Sequence, residues 1–183
     1  MESPTVLIGL GNPGAEYEST YHNIGMAAVD AIAADIFGST EIPWETHQKL
    51  FSYARTGHWA FVKPLTFMND SGRAVREAVR KFTAAPENIL LIHDDSDLLV
   101  GEWKMSRGRG AAGHHGVESV VAALGTNQFL RIRIGIRPPE ERTREKAGSF
   151  VLRPVPKSAE PALVKVFDEI AETITETPPH PRS

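Results

Sequence analysis

An apolar run that stops abruptly in a turn constrains this chain most: Val6, Leu7, Ile8 and Leu10 give way at once to Gly11-Asn12-Pro13-Gly14. The run reads as a buried strand, and the four residues after it are dense turn chemistry. Strand, glycine-rich turn and following helix are how open α/β proteins place a ligand at the carboxyl edge of a sheet. His22-Asn23 follows near the start of the next helical pattern, close enough to lean over that edge. The rim made by Asn12 and His22 is therefore where other chemistry-bearing residues are expected to converge.

Periodicity supplies the remaining elements. Ile24 to Phe37 repeats as a helix and ends at Gly38. Residues 50–54 and 59–62 read as a strand pair around Gly57, after a looser stretch opened by Pro43-Trp44. A helix follows Gly72, with Ala74, Val75, Ala78, Val79 and Phe82 on its apolar face. Asn88 to Ile92 reads as a central buried strand ending in His93-Asp94-Asp95-Ser96-Asp97. Residues 101–106 suggest a short strand, Arg107 to Gly116 a flexible basic loop, and Val117 to Leu124 a helix stopped by Gly125. Apolar and basic residues alternate over Leu130 to Ile134, the pattern of a half-exposed strand. Residues 137–148 are expected to be a mobile charged loop, Ser158 to Thr175 a final amphipathic helix, and 178–183 a disordered tail. The order β-α-β-β-α-β-β-α-β-α predicts one α/β domain over residues 1–177, a mixed β-sheet flanked by helices on both faces.

Composition narrows the chemistry. The chain has no cysteine, which removes disulfides, thiolate metal sites and cysteine nucleophiles. No apolar run approaches the roughly 18 residues that a membrane helix needs, and no export leader is visible, so the cytoplasm is the expected compartment. The net charge of −3 hides an asymmetry: residues 103–146 hold nine Lys or Arg against four Glu. A basic face on an otherwise acidic chain suggests a polyanionic partner touched on one side, although a merely solvated face reads the same way from charge alone.

The candidate sites follow. Gly9-x-Gly11-x-x-Gly14 formally matches a dinucleotide fingerprint. That fold also needs an acidic residue about 20 positions on, at the end of a second strand; here Asp30 falls inside a helix, and Pro13 removes an N–H that a pyrophosphate would use. His22 can be a surface or capping residue, with Thr20 as the helix cap. If both apolar strands are central and parallel, Asp94 emerges on the same rim. A carboxylate on one imidazole nitrogen fixes the tautomer and raises the basicity of the other, which lets a histidine activate water. Asp94, Asp95 and Asp97 could instead group around a cation, a weaker reading without ligand geometry. Asn69 has an ordinary reading as a turn or cap residue. The glycine-rich basic loop can bring backbone N–H groups against phosphate or simply connect two elements. With no G-x-S-x-G elbow, water is the favoured nucleophile.

Four motifs in order carry a resemblance. They are Gly9-Leu10-Gly11-Asn12-Pro13-Gly14-x-x-Tyr17-x-x-Thr20-x-His22-Asn23-x-Gly25, Lys63-Pro64-x-Thr66-Phe67-Met68-Asn69-x-Ser71-Gly72, His93-Asp94-Asp95-x-Asp97-Leu98 and Gly113-His114-x-Gly116. With Phe129-x-Arg131-x-Arg133-x-Gly135 and Phe150-Val151-Leu152 they cover about residues 5–155, and the chain resembles bacterial-type peptidyl-tRNA hydrolase. The resemblance implies a monomer that cleaves the ester between a peptide and the 3′-terminal ribose of tRNA, recycling tRNA from abortive translation, with no metal or organic cofactor. Carried over by position, His22 would be the general base, Asp94 its support, and Asn12 the group that tells a peptidyl amide from a free amine. Asn12 or Asn69 would donate to the oxyanion. Tyr17, Phe67, Met68 and Asn69 would line the cleft, while Arg133 and the basic loop would face tRNA phosphates. The chain departs from the family pattern at Tyr21, where Arg is usual, at His115, where Asn is usual, and in a loop diluted by Arg109, Ala111 and Ala112. These departures bear on substrate affinity and pH response more than on the reaction. A non-catalytic RNA-binding relative of the same fold is the rival reading.

Overall fold

The computed structural model describes residues 4–139 and 147–176. The first apolar run forms β1 (Thr5–Gly9), and after the turn a 3₁₀ segment at Tyr21–Asn23 leads into α1 (Ile24–Phe37). Gly38 closes α1 in the left-handed region at φ 65°, the conformation that a helix C-terminus asks of glycine. Then come β2 (Glu45–His47), β3 (Phe51–Thr56), β4 (Trp59–Pro64), a 3₁₀ turn at Met68–Asp70 and α2 (Ser71–Phe82). The second half holds β5 (Ile89–Leu99), β6 (Trp103–Arg107), α3 (His115–Leu124), β7 (Leu130–Arg137), a short α4 (Ala147–Phe150) and α5 (Glu160–Glu176). The charged stretch at 137–148 falls mostly outside the described residues, and so does 178–183.

All seven strands join one sheet in the order β2-β3-β4-β1-β5-β7-β6. Its centre, β4-β1-β5-β7, is parallel, and the edges are antiparallel, so the sheet is mixed as the element order predicts. Strand alternation divides the core. Leu7, Leu90 and Ile92 meet α1 and α5 on one face, while Val6, Ile8, Ile89 and Leu91 meet α2 and α3 on the other.

Three expectations need correction. A strand at 45–47 pairs with β3 inside the stretch that reads as loop, because Glu45 to His47 find an open edge there. β5 does not end at Ile92: it runs on to Leu99 because β7 continues to pair with it, Asp94 lying opposite Ile134. β7 is not half-exposed, since β5 and β6 flank it and Arg131 is only 3% exposed. Alternation alone misled here. The Arg131 guanidinium is buried against the carbonyls of Arg109 and Gly110, at 3.0 Å each, and so pins the basic loop.

Two bare backbones set the geometry of the rim. A Cβ on Gly25 would lie 2.5 Å from the Ile92 carbonyl and 2.7 Å from that of Leu10. A Cβ on Gly9 would collide with the Gly25 carbonyl at 2.2 Å. The first turn of α1 thus rests directly on β1 and β5, and this brings His22 over the sheet edge.

Candidate active site

β1 ends opposite Ile92, and Leu10 N–H donates to the Ile92 carbonyl at 2.9 Å, so β5 outruns β1 at the rim. Two residues on, alternation turns Asp94 toward the α1 side, where His22 stands. His22 Nδ1 lies 2.9 and 3.1 Å from the two Asp94 oxygens. His114, just before α3, reaches the same carboxylate, its Nε2 at 2.9 Å from Oδ1. Asp94 is 3% exposed. Burial by itself raises its carboxyl pKa, but the pull of His114 and then of His22 outweighs burial and holds the group well below the usual carboxylate range.

An ionised carboxylate only accepts, so both imidazoles must donate to it. His22 is therefore the Nδ1–H tautomer, leaving the Nε2 lone pair without a protein partner among the described residues. His114 is held as the Nε2–H tautomer, and its Nδ1 accepts the Val117 N–H at 3.3 Å. Behind them, fully buried His93 donates Nδ1–H to the Asp94 carbonyl at 2.7 Å and packs edge-on against His114, ring centroids 4.7 Å apart. Burial pushes the His93 imidazole well below its ordinary value, so it stays neutral. His22, Asp94 and His114 can each offer one ligand atom within 4.8 Å of the others, a spacing that a metal ion could bridge; both imidazoles are already hydrogen-bonded to the carboxylate. The alternative cation site does not assemble. Asp95 Oδ2 accepts from Arg133 at 2.9 Å and its Oδ1 from Asp97 N–H at 2.8 Å, while Asp94 turns to the histidines.

A cavity of about 560 Å³ opens beside this trio, its wall carrying His22 and His115 with three carboxylates, Asp94, Asp95 and Asp97, and three guanidinium groups, Arg109, Arg131 and Arg133. Lys104, Arg107 and Arg109 have no carboxylate partner among the described residues, whereas Arg133 is paired with Asp95. His115 is exposed and contacts Glu118 at 3.1 Å.

Asn12 lines a smaller cavity of about 370 Å³ with Lys63 and Asp30. It is held tightly. Its N–H and carbonyl both bond to the Asn23 amide, at 2.9 and 2.8 Å, and its Oδ1 accepts Met68 N–H at 2.8 Å. The last bond fixes the amide orientation and leaves NH₂ as the free donor. Tyr17 meets Phe67 edge-on, centroids 6.3 Å apart, and Phe67 is 56% exposed, a ledge of two rings. Met68 is buried beneath Gly116 instead of open to a cleft, and Asn69 is exposed and in neither cavity wall. Thr20 does not cap the helix; its hydroxyl donates back to the Tyr17 carbonyl at 2.8 Å.

Sequence reasoning missed two roles. His114 and Asn23 both stand inside motifs singled out above, but each acts through a partner more than ten residues away, which spacing does not reveal.

A rim histidine bonded to a buried carboxylate beside an open cavity of mixed charge fits an α/β enzyme of the hydrolase class. The peptidyl-tRNA hydrolase family profile matches residues 6–178. Peptidyl-tRNA hydrolase of Mycolicibacterium gilvum is 38% identical over 178 residues, covering 94% of this chain and 89% of that protein. The Hydrogenobaculum enzyme of the same name is 39% identical over 166 residues, 91% of this chain and 86% of its own. The crystal structure of peptidyl-tRNA hydrolase from Acinetobacter baumannii superposes with a TM-score of 0.82 at 31% identity, over 96% of this chain and 88% of that one. The chain belongs to the peptidyl-tRNA hydrolase family.

Proposed function

We propose that this protein hydrolyses the ester joining a peptide to the 3′-terminal ribose of tRNA, with water as nucleophile and His22 as general base. The single observation that carries the mechanism is the contact of His22 Nδ1 with buried Asp94, 2.9 Å away beside an open cavity. Nε2 takes the proton of the attacking water, Asp94 stabilises the imidazolium that forms, and the proton passes to the departing ribose oxygen. Asn12 NH₂ donates to a carbonyl of the peptide, and Tyr17 with Phe67 supplies an apolar ledge beside it. The larger cavity, which carries Arg109 and Arg133, takes the tRNA side. The same reading has the chain working as a cytoplasmic monomer without a metal or organic cofactor; sedimentation velocity checks the oligomeric state. Among the described residues no helix is long and apolar enough to cross a membrane.

Release of N-acetyl-aminoacid from a defined N-acetyl-aminoacyl-tRNA tests the activity directly. Binding of that substrate without turnover would establish instead a non-catalytic RNA-binding relative.

Asn12→Asp separates the two uses of this side chain. The carboxylate still accepts from Met68 N–H, so folding is retained, but the NH₂ donor is gone. A loss of about a hundredfold in kcat/KM is expected; unchanged kinetics would exclude the amide from substrate contact.

Salt dependence tests the tRNA face. If Lys104, Arg107 and Arg109 each neutralise a phosphate, log affinity falls against log salt with a slope of about −2 to −3. Each single change to Gln then reduces the slope by about one. A flat response would move the contact off this face.

A further inference from the structure

Before α1, the 3₁₀ turn that carries His22 has no side-chain cap of its own. Helix starts leave backbone N–H groups without intrahelical acceptors, and here a distant segment satisfies them. Tyr21 N–H donates to the Arg153 carbonyl at 3.1 Å, and His22 N–H donates to the Val151 carbonyl at 2.8 Å. The pairing continues outward as an antiparallel bridge between Thr20 and Pro154, then as Val155 N–H to the Ser19 carbonyl at 2.8 Å. Side chains clamp the same junction. The Tyr21 and Phe150 rings stack with centroids 4.7 Å apart and planes 22° apart, and both residues are buried. Arg153 closes over the outer part of the Phe150 ring, its guanidinium 5.6 Å from the centroid.

The other side of His22 is already fixed, since Gly25 rests on the backbones of β1 and β5. The histidine is thus held between a rigid sheet and the strap formed by residues 150–155. Asp94 sets which nitrogen carries the proton, but it does not set how far Nε2 stands from the rim. That depends on the backbone of residue 22, and hence on the strap. Gly148 and Val151 also line the large cavity, so one segment both borders the substrate space and anchors the base.

We infer that the strap of residues 150–155 positions the general base, with the Tyr21–Phe150 stack as its clamp and both rings as positioning residues. This rests on His22 acting as the base. A displacement of the base by about 1 Å costs on the order of a hundredfold in rate without removing any group that binds substrate.

The test compares Phe150→Leu and Tyr21→Leu with the ring-preserving Phe150→Tyr and Tyr21→Phe, at temperatures where urea melts show each variant fully folded. The Leu variants are expected to lose tenfold or more in kcat on N-acetyl-aminoacyl-tRNA, with KM within about twofold. The ring-preserving variants are expected to stay within twofold of wild type in kcat. Should Phe150→Leu fail to fold, Phe150→Met takes its place. Wild-type kcat in a folded Leu variant, or a rise in KM with kcat unchanged, would overturn the inference. If instead His22→Ala is fully active, it is the reading of His22 as base that fails.

Discussion

His22→Ala is expected to remove essentially all turnover of peptidyl-tRNA, a loss of about 10²–10⁴-fold or more in kcat, while tRNA affinity stays within about twofold. The separation follows from placement. His22 lines the cavity and holds Asp94 through Nδ1, and that contact involves none of the cavity's arginines. Substrate binding is expected to draw on groups that the substitution leaves alone, whereas water loses its base, the other imidazole on Asp94 having its Nδ1 taken by Val117 N–H. Stopped-flow hydrolysis and equilibrium binding of N-acetyl-aminoacyl-tRNA to the same variant read the two quantities separately. Full activity would take His22 out of the mechanism.

The His22–Asp94 pair was legible in the sequence because each residue closes a strand-linked motif. One follows the turn after β1; the other follows the apolar run of β5. Two apolar runs of that kind meet at the centre of an α/β sheet, so their ends share a rim. Register was not legible. Nothing in Asn88 to Asp97 shows that β7 outlasts β1 as a partner, and for that reason Asp94 reads as a residue beyond the strand when it is inside it. The same blindness to neighbours made β7 look half-exposed: Leu130 to Ile134 alternates as an edge strand would, but the basic position Arg131 is buried on loop carbonyls. Asn12 shows a third limit. Nothing in the sequence shows that Met68 N–H takes its Oδ1, which leaves the NH₂ as the donor of a residue in the smaller cavity's wall. Of the adjacent histidines, His115 drew attention as a departure from the family pattern, yet it faces solvent, and His114 is the one that reaches Asp94. Helix phase decides between them: His115 begins α3, while His114 still belongs to the loop that crosses the rim.

Asp94→Asn is the second large effect, and the sharing of this carboxylate by two imidazoles makes it larger than the loss of one charge. The amide offers one oxygen and one NH₂ where two N–H donors converge. One histidine must turn over its tautomer or leave, and an NH₂ facing His22 Nδ1 forces the proton onto Nε2, the atom that has to accept one. A fall of about 10²–10⁴-fold in kcat is expected. His114→Ala, which leaves Asp94 to His22 alone, should cost much less. Stability supplies an independent check. A carboxylate whose folded pKa is depressed below its ordinary 3.8 adds stability that is fully present above that value and is lost as the pH falls through the folded one. Wild type should therefore exceed Asp94→Asn by about 1–3 kcal/mol in urea unfolding near neutral pH, and the gap should narrow below about pH 4. A gap that stays constant on acidification would mean that the histidines do not hold Asp94 ionised. With that, the physical basis for the His22 tautomer would go as well, because a protonated Asp94 could donate to Nδ1 and leave the hydrogen on the wrong nitrogen.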